Sequence, residues 1–313
     1  MKSLQFYRKN RARTTDFCLV GPTAVGKTAL ALELARRFDA EIISVDSMQV
    51  YRYLDIGTAK ATLAERQRVP HHLIDIVDPD QDYNLARFLA DAAAARREIR
   101  ARGKATLFTG GTGLYLKGLL EGIFEFDRGD EQLREELGKR LELEGAAALH
   151  AELARVDPES AARIHPHDHQ RLLRALEIYR AGGVPWSQLL RQSRRNALLE
   201  RNVPVIGLAR PRDILYERIN HRVEMMLAQG LVEEVRGLLA RGYGPELPAM
   251  QAIGYRHTVE YLQGNWSLEQ AGELLARDTR RYAKRQLTWF NGMDNINWFP
   301  PEDLEGICRL LEP

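Results

Sequence analysis

The chain is 313 residues long, 44% hydrophobic and 28% charged, with a formal net charge of +2. That composition is globular rather than disordered, and the chain is long enough for one large domain or two. Near-neutral charge excludes global attraction to nucleic acid, so RNA binding would need local basic patches. Two cysteines, Cys18 and Cys308, stand at opposite ends of the sequence. They form neither a disulfide framework nor a zinc module, which fits a reducing cytoplasm. The apolar runs are too short for a membrane span, and no apolar signal segment opens the chain.

In chain order, MKSLQFYRKNRAR carries five basic residues and no acid; an unstructured terminus is expected there, with no site. DFCLVGPT predicts a buried strand from Asp16 to Val20 that runs into a glycine loop, and KTALALELARRF a buried helix leaving it. EIISVDS and HHLIDIVDP read as further strands, ARFLADAAAARREIRARG as a helix ending at Gly103, and ATLFTGGTGLYLKGLLEG as strand, glycine turn and helix. Alternating strands and helices predict a parallel α/β sheet with its site at the strands' carboxyl ends. From about Phe126 to Asn196 strand signals vanish, and EQLREELGKRLELEG, AAALHAELARV and HQRLLRALEIYRAG predict helices. RNVPVIGLARP restores a strand, ILYERINHRVEMMLAQG and LVEEVRGLLARG are helices stopped by glycine, and LEQAGELLARDTRRYAKRQLTWFNG is a basic helix. The expected fold class is α/β: a P-loop NTPase-like parallel sheet flanked by helices, with a helical insertion subdomain. The expected divisions are a first part of the core over 14–125, the insertion over 126–198, and core completion with basic helices over 199–313.

The loop GPTAVGKT spans Gly21, Pro22, Thr23, Ala24, Val25, Gly26, Lys27 and Thr28. Glycines let backbone N–H groups approach phosphate oxygens, and the helix N-terminus adds positive potential. Lys27 reaches the terminal phosphate in such a loop and Thr28 holds Mg²⁺. ATP hydrolysis wants a second strand-end acid around Mg²⁺ and water, yet ATLFTGGTG ends in Thr109, Gly110 and Gly111. The nearest strand-end acid is Asp46. It serves either as a general base toward an acceptor nucleophile or as a metal-shell or helix-capping aspartate. Kinases of small metabolites share this pair of features.

GPTAVGKTALALELA, EIISVDSMQVYRYLDIGTAK, VPHHLIDIVDP and LFTGGTGLYLKGLLEG resemble the tRNA dimethylallyltransferases, also called tRNA isopentenyltransferases. So do AARIHPHDHQRLLRALEIY, QAIGYR and RRYAKRQLTWF, in the same order over nearly the whole chain. The resemblance implies transfer of a dimethylallyl group from dimethylallyl diphosphate to the exocyclic amino group of the adenosine 3′ of the anticodon. The loop would then hold a prenyl donor's diphosphate, and the missing second acid is expected. By the same resemblance Thr23 donates to the bridging oxygen, Asp46 takes or orients the adenine amino proton, and one of Arg218 and Arg222 meets the diphosphate, with Arg222 the choice between them. Arg218 shares a face with Arg222, and either arginine also has a bland partner in Glu217 or Glu224.

RNA contacts are implied at Asp46, Ser47, Met48 and Gln49, at Thr112, and along the run Gln170, Arg171, Leu172, Leu173 and Arg174. Gln251 and Arg256 of QAIGYR, with Arg281, Lys284 and Arg285 of the basic helix, complete the implied set. RDTRRYAKR carries five basic residues against one acid, a stripe suited to an RNA backbone. The histidines of IHPHDH are read as a turn and helix entry rather than zinc ligands. The four tryptophans are read as packing residues.

The implied partners are the tRNA anticodon stem–loop, dimethylallyl diphosphate and Mg²⁺, with no membrane, a monomer, and the cytoplasm as location. The chain ends at Pro313 without the zinc-finger tail of many eukaryotic relatives, which resembles the shorter bacterial form. Two alternatives use the same loop: an adenylate isopentenyltransferase acting on free adenine nucleotides, and a P-loop small-molecule kinase.

Overall fold

The computed structural model describes residues 16–123, 131–193, 196–200 and 202–312. The basic N-terminal tail and the expected start of the insertion at Phe126 lie outside the described residues. Strand β1 (Asp16–Val20) enters the glycine loop and helix α1 (Lys27–Arg37), which leads to β2 (Ala40–Val45). A long excursion holds α2 (Leu63–Arg68) and the short β3 (His71–His72), before α3 (Leu85–Ala101), β4 (Ala105–Gly110) and α4 (Gly113–Glu121). Helices α5 (Glu131–Glu144), α6 (Ala146–Val156), α7 (Pro158–Arg163), α8 (His169–Gly182) and α9 (Trp186–Ser193) come next. The chain then runs through β5 (Val205–Leu208), α10 (Arg212–Ala228), α11 (Leu231–Ala240), α12 (Tyr255–Leu262) and α13 (Leu268–Asn291). It closes with β6 (Ile296–Phe299) and α14 (Leu304–Leu311).

The sheet is parallel throughout, in the order β3-β2-β4-β1-β5-β6. Strands β1, β2 and β4 are almost wholly buried, as a parallel sheet covered on both faces requires, so they read as mainly apolar stretches without strict alternation. Register is what builds the site. Gly110 lies opposite both Val20 and Val45, so three strands end level and their loops converge. A methyl at Gly110 would sit 2.0 Å from the Val45 carbonyl oxygen, so only glycine permits this approach.

HHLIDIVDP forms only the two residues of β3. Leu73 and Asp75 adopt left-handed φ of 61° and 58°, which ends the ladder. The turned chain instead delivers the Asp75 carboxylate to Lys60 Nζ and Arg66 Nη1, each at 2.6 Å. Helices α2, α7, α9, α12 and α14 and the edge strand β6 are further elements beyond those read from the sequence. The last is four residues with weak patterning, and it acquires strand geometry from pairing with β5.

The described residues divide into two compact units, one within residues 16–116 and 202–312 and one within residues 117–200. The second unit is helical around Leu137, Leu149, Leu153, Leu172 and Leu176. Its entering and leaving segments are tied where Leu199 N–H donates to the Leu119 carbonyl at 3.0 Å. Inside it, Asp157 caps two helices at once, accepting from Ser160 N–H at 3.1 Å and Ser187 N–H at 2.9 Å. IHPHDH is a turn into α8, whose N-cap Asp168 accepts from Arg171 N–H at 3.2 Å. Among the described residues no helix is long and apolar enough to cross a membrane.

Candidate active site

The glycine loop closes over its own lysine. Gly21 and Gly26 take φ of 149° and 118°, and Ala24 takes 62°, so the backbone curls around Lys27. Lys27 Nζ donates to the carbonyls of Gly21 at 2.9 Å and Pro22 at 2.8 Å. Burial first, and Arg222 second, push its ammonium down to about pH 7, against an opposing pull from Asp46. Helix α1 begins at Lys27 with no side-chain cap. The helix ladder starts only where Leu30 N–H donates to the Gly26 carbonyl at 3.4 Å, so the N–H groups of Lys27, Thr28 and Ala29 precede it, the condition that favours an anion.

Three arginines brace the loop. Arg210 Nε donates to the Val25 carbonyl at 2.9 Å and Arg218 Nε to the Ala24 carbonyl at 2.8 Å. Arg222 Nη1 lies 3.3 Å from the Thr23 hydroxyl oxygen. The two candidate arginines of α10 thus part company: Arg218 holds backbone, while Arg222 meets a side chain inside the loop. Burial and the neighbouring Arg218 lower the Arg222 pKa, both signs of a cationic hollow suited to an anion.

Asp46 follows the last residue of β2. Its Oδ1 accepts from Met48 N–H at 2.9 Å and Gln49 N–H at 3.3 Å, an Asx turn that presents Asp46, Ser47, Met48 and Gln49 together. Ser47 N–H donates to the Thr112 hydroxyl at 3.0 Å, joining the β2 and β4 loops. Gln49 accepts from the Ser44 hydroxyl at 2.9 Å and donates to the Thr58 carbonyl at 3.3 Å.

A cavity of about 620 Å³ collects these groups. Its lining includes Thr23, Lys27, Thr28, Asp46, Ser47, Met48, Gln49, Arg222 and Gln251. A second cavity of about 650 Å³ shares Ala24, Arg218, Arg222 and Met226 with the first. Helix α13 supplies a wall through Leu275, Thr279, Tyr282, Arg285 and Gln286, one stripe at helical spacing. Burial, then the nearby Asp46, raises the Tyr282 hydroxyl well above its usual range, so it stays a neutral donor.

The basic residues of α13 divide. Arg285 lines the cavity and lies 5.7 Å over the Tyr282 ring, whereas Arg281 and Lys284 are exposed outside it. Asp278 gathers Arg256 at 2.7 Å, Arg277 at 3.0 Å and Arg281 at 3.6 Å, so these cations are pre-oriented rather than loose. Gln251 Nε2 donates to the Pro245 carbonyl at 2.5 Å.

The run Gln170–Arg174 belongs to the second unit. Gln170 and Arg171 are exposed, and Arg174 Nη1 donates to Glu177 at 2.8 Å. Leu172 is fully buried in that unit's core and Leu173 packs against it, so Leu172 leaves the candidate set. An amphipathic helix turns the middle of such a run inward, which the string of letters hides.

Glu234 was not foreseen. Its Oε2 accepts from Asp55 N–H at 3.1 Å and Ile56 N–H at 2.8 Å, and its Oε1 from Gly57 N–H at 3.2 Å and the Tyr255 hydroxyl at 2.6 Å. It thereby pins the segment whose Thr58 holds Gln49. Nothing local marked it, because three of its four donors lie about 180 residues away. Gln286 was also missed, although a polar residue on the buried stripe of an amphipathic helix was a signal available in the sequence.

A parallel sheet ending in an uncapped glycine loop defines the P-loop NTPase-like class, and here the loop faces a strand-end aspartate across a cavity. A family model described as IPP transferase matches residues 49–293, and one described as isopentenyl transferase matches residues 15–75. The chain belongs to the IPP transferase family, and it is a prenyltransferase. It is 50% identical to a tRNA dimethylallyltransferase of Geotalea uraniireducens over 93% of this chain and 94% of that one. A tRNA isopentenylpyrophosphate transferase structure from Bacillus halodurans is 42% identical with a TM-score of 0.69, covering 95% and 97% of the two chains. A eukaryotic dimethylallyltransferase solved acting on tRNA is 30% identical with a TM-score of 0.77, covering 93% of this chain and 75% of that one.

Proposed function

We propose that this protein transfers a dimethylallyl group from dimethylallyl diphosphate to the exocyclic amino group of the adenosine 3′ of the anticodon in tRNA, releasing diphosphate. The observation that carries this reading is Asp46 sharing one cavity with the loop of Lys27, Thr28 and Thr23 and with Arg222. In the reaction a C–N bond forms to the adenine nitrogen as the C–O bond to diphosphate breaks, and the nitrogen gives up a proton. Negative charge builds on the leaving diphosphate, where Lys27, Arg222, the Thr23 hydroxyl and the N–H groups of α1 supply cations and donors. The amine is a weak nucleophile, so placement governs the rate. Asp46 has one oxygen committed to its turn, which leaves the other to orient the amine and accept its proton.

Mg²⁺ fits this site in the P-loop manner. Thr28 lines the cavity, and among the described residues no group of three or more His, Cys, Asp or Glu forms a protein cage for a metal. Thr28 would hold the ion against diphosphate oxygens, where it would neutralise charge on the leaving group.

The target base must leave its stack to reach such a cavity, a modest cost in a single-stranded loop. Ser47, Met48, Gln49, Thr112, Gln251 and Arg285 surround it in this reading. Arg256, Arg281, Lys284, Gln170, Arg171, Leu173 and Arg174 meet the rest of the stem–loop. In this reading the protein acts as a monomer in the cytoplasm.

The test is transfer of labelled dimethylallyl, with Mg²⁺, to three acceptors side by side. These are a stem–loop with adenosine 3′ of the anticodon, the same stem–loop with guanosine there, and free AMP. Label on the adenosine stem–loop alone is expected. Label on AMP would move the protein to the adenylate isopentenyltransferases, and ATP consumption without label would make it a kinase.

A further inference from the structure

The glycine loop and the β4 turn are held together by one side chain from a distant helix. Gln286 of α13 accepts from Thr23 N–H at 2.9 Å through Oε1 and donates to the Gly111 carbonyl at 2.9 Å through Nε2. It is 6% exposed, and both ends of its amide are satisfied. The approach needs glycine at 111, since a methyl there would lie 2.2 Å from Nε2. The clamp acts on functional loops at both ends. Thr23 carries the hydroxyl that Arg222 meets, and Gly111 precedes Thr112, which holds Ser47. A surface glutamine at this position would serve a merely helical role equally well, but a buried amide bridging two loops spans an architecture that neither loop could set alone.

Resting on the reading of the cradle given above, we propose that Gln286 is a positioning residue for prenyl transfer. It fixes the Thr23 backbone so that the Thr23 hydroxyl points at the departing diphosphate. Because its own helix also carries Tyr282 and Arg285 into the cavity, the acceptor side and the leaving-group side are registered through one amide. Gln286 itself lines the cavity, but both ends of its amide are spent on the two loops, so its role runs through Thr23.

Four variants test this: Gln286→Leu, Gln286→Glu, Thr23→Ala and the double variant Thr23→Ala/Gln286→Leu. Gln286→Leu is expected to lower kcat about 30-fold, the scale of a sub-ångström to ångström misplacement, with stem–loop affinity within about twofold. In the Thr23→Ala background the same change should cost no more than about threefold, because coupled residues are not additive. Gln286→Glu accepts from Thr23 N–H, but donates to the Gly111 carbonyl only when protonated. Its kcat relative to wild type should therefore rise as pH falls, while the ratio for Gln286→Leu stays flat. Lys27, Asp46, Tyr282, Arg222 and Arg285 line the same cavity in every variant, so the ratio to wild type isolates the substituted side chain.

An impaired Thr23→Ala with a multiplicative loss in the double variant would overturn this inference alone. A pH-independent ratio for Gln286→Glu would do the same. Wild-type kcat in Thr23→Ala would overturn the role given to the Thr23 hydroxyl, and this inference with it. Should Gln286→Leu fail to fold, Gln286→Glu below and above neutral pH decides the matter by itself.

Discussion

Asp46 does two jobs that one pair of substitutions can separate. Its Oδ1 accepts from Met48 N–H at 2.9 Å and Gln49 N–H at 3.3 Å, while the carboxylate faces the cavity. Asp46→Asn keeps an oxygen able to accept both bonds and removes the charge and the basicity. Asp46→Ala removes everything. Two bonds to a half-exposed carboxylate are worth about 1–3 kcal/mol together once water competes for the freed N–H groups. For a unit of this size that corresponds to a fall in thermal midpoint of about 2–10 °C in Asp46→Ala, with Asp46→Asn within about 2 °C of wild type. Transfer should fall about 10²–10⁴-fold in both, the usual contribution of a positioned base. Stem–loop binding should survive in Asp46→Asn, because the turn that presents Ser47, Met48 and Gln49 is intact. The assays are differential scanning calorimetry, fluorescence anisotropy with a labelled stem–loop, and single-turnover transfer. Turnover of Asp46→Asn within threefold of wild type would remove Asp46 from the base role. A midpoint for Asp46→Asn as low as that of Asp46→Ala would show that the Asx turn needs the charge.

Lys27, held at about 7 by burial and by Arg222, makes diphosphate binding depend on pH. A bound anion raises the lysine's pKa, so binding takes up a proton only above pH 7, and affinity should weaken by up to about tenfold per unit from there. Calorimetric titration of inorganic diphosphate from pH 6 to 9 should show a steeper fall in wild type than in Lys27→Met, and parallel curves would refute the linkage. Gly110→Ala, with its new methyl 2.0 Å from the Val45 carbonyl, should destabilise by about 1–3 kcal/mol or more and misplace Asp46. Wild-type melting and kcat in that variant would contradict the register argument. Glu234→Ala strips four hydrogen bonds from the segment 55–57 and Tyr255, and should cost about 2–3 kcal/mol. Hydrogen exchange should quicken first at Asp55 to Gly57, and uniform exchange across the unit would count against a local pin.

Much of this molecule is legible in a single string because its strongest signals are local. The strand Asp16–Val20 announces itself by the apolar run that follows Asp16, and GPTAVGKT by glycines at two of the three positions where φ is positive. The strand after Ala40, the helix from Leu85 and the helix-only stretch of the second unit follow from composition and period. Failures occur where partners are remote. HHLIDIVDP has strand chemistry, yet Leu73 and Asp75 turn left-handed so that Asp75 can meet Lys60 and Arg66. Leu172 sits inside a run of RNA-type letters and is buried, because a helix shows alternate faces that a string does not.

The sequence by itself determined the class of site: a phosphate loop at a strand end, an aspartate at the next strand end, and a family resemblance along the whole chain. Tertiary structure alone decided which of two arginines four residues apart meets Thr23, that Arg281 rests on Asp278 while Arg285 lines the cavity, and that Gln286 bolts the loop to Gly111. The physical reason is range. Backbone conformation is encoded within a few residues by sterics and hydrogen bonding. A side chain's partner across 175 or 263 residues is chosen only when strand register and helix packing bring the two together.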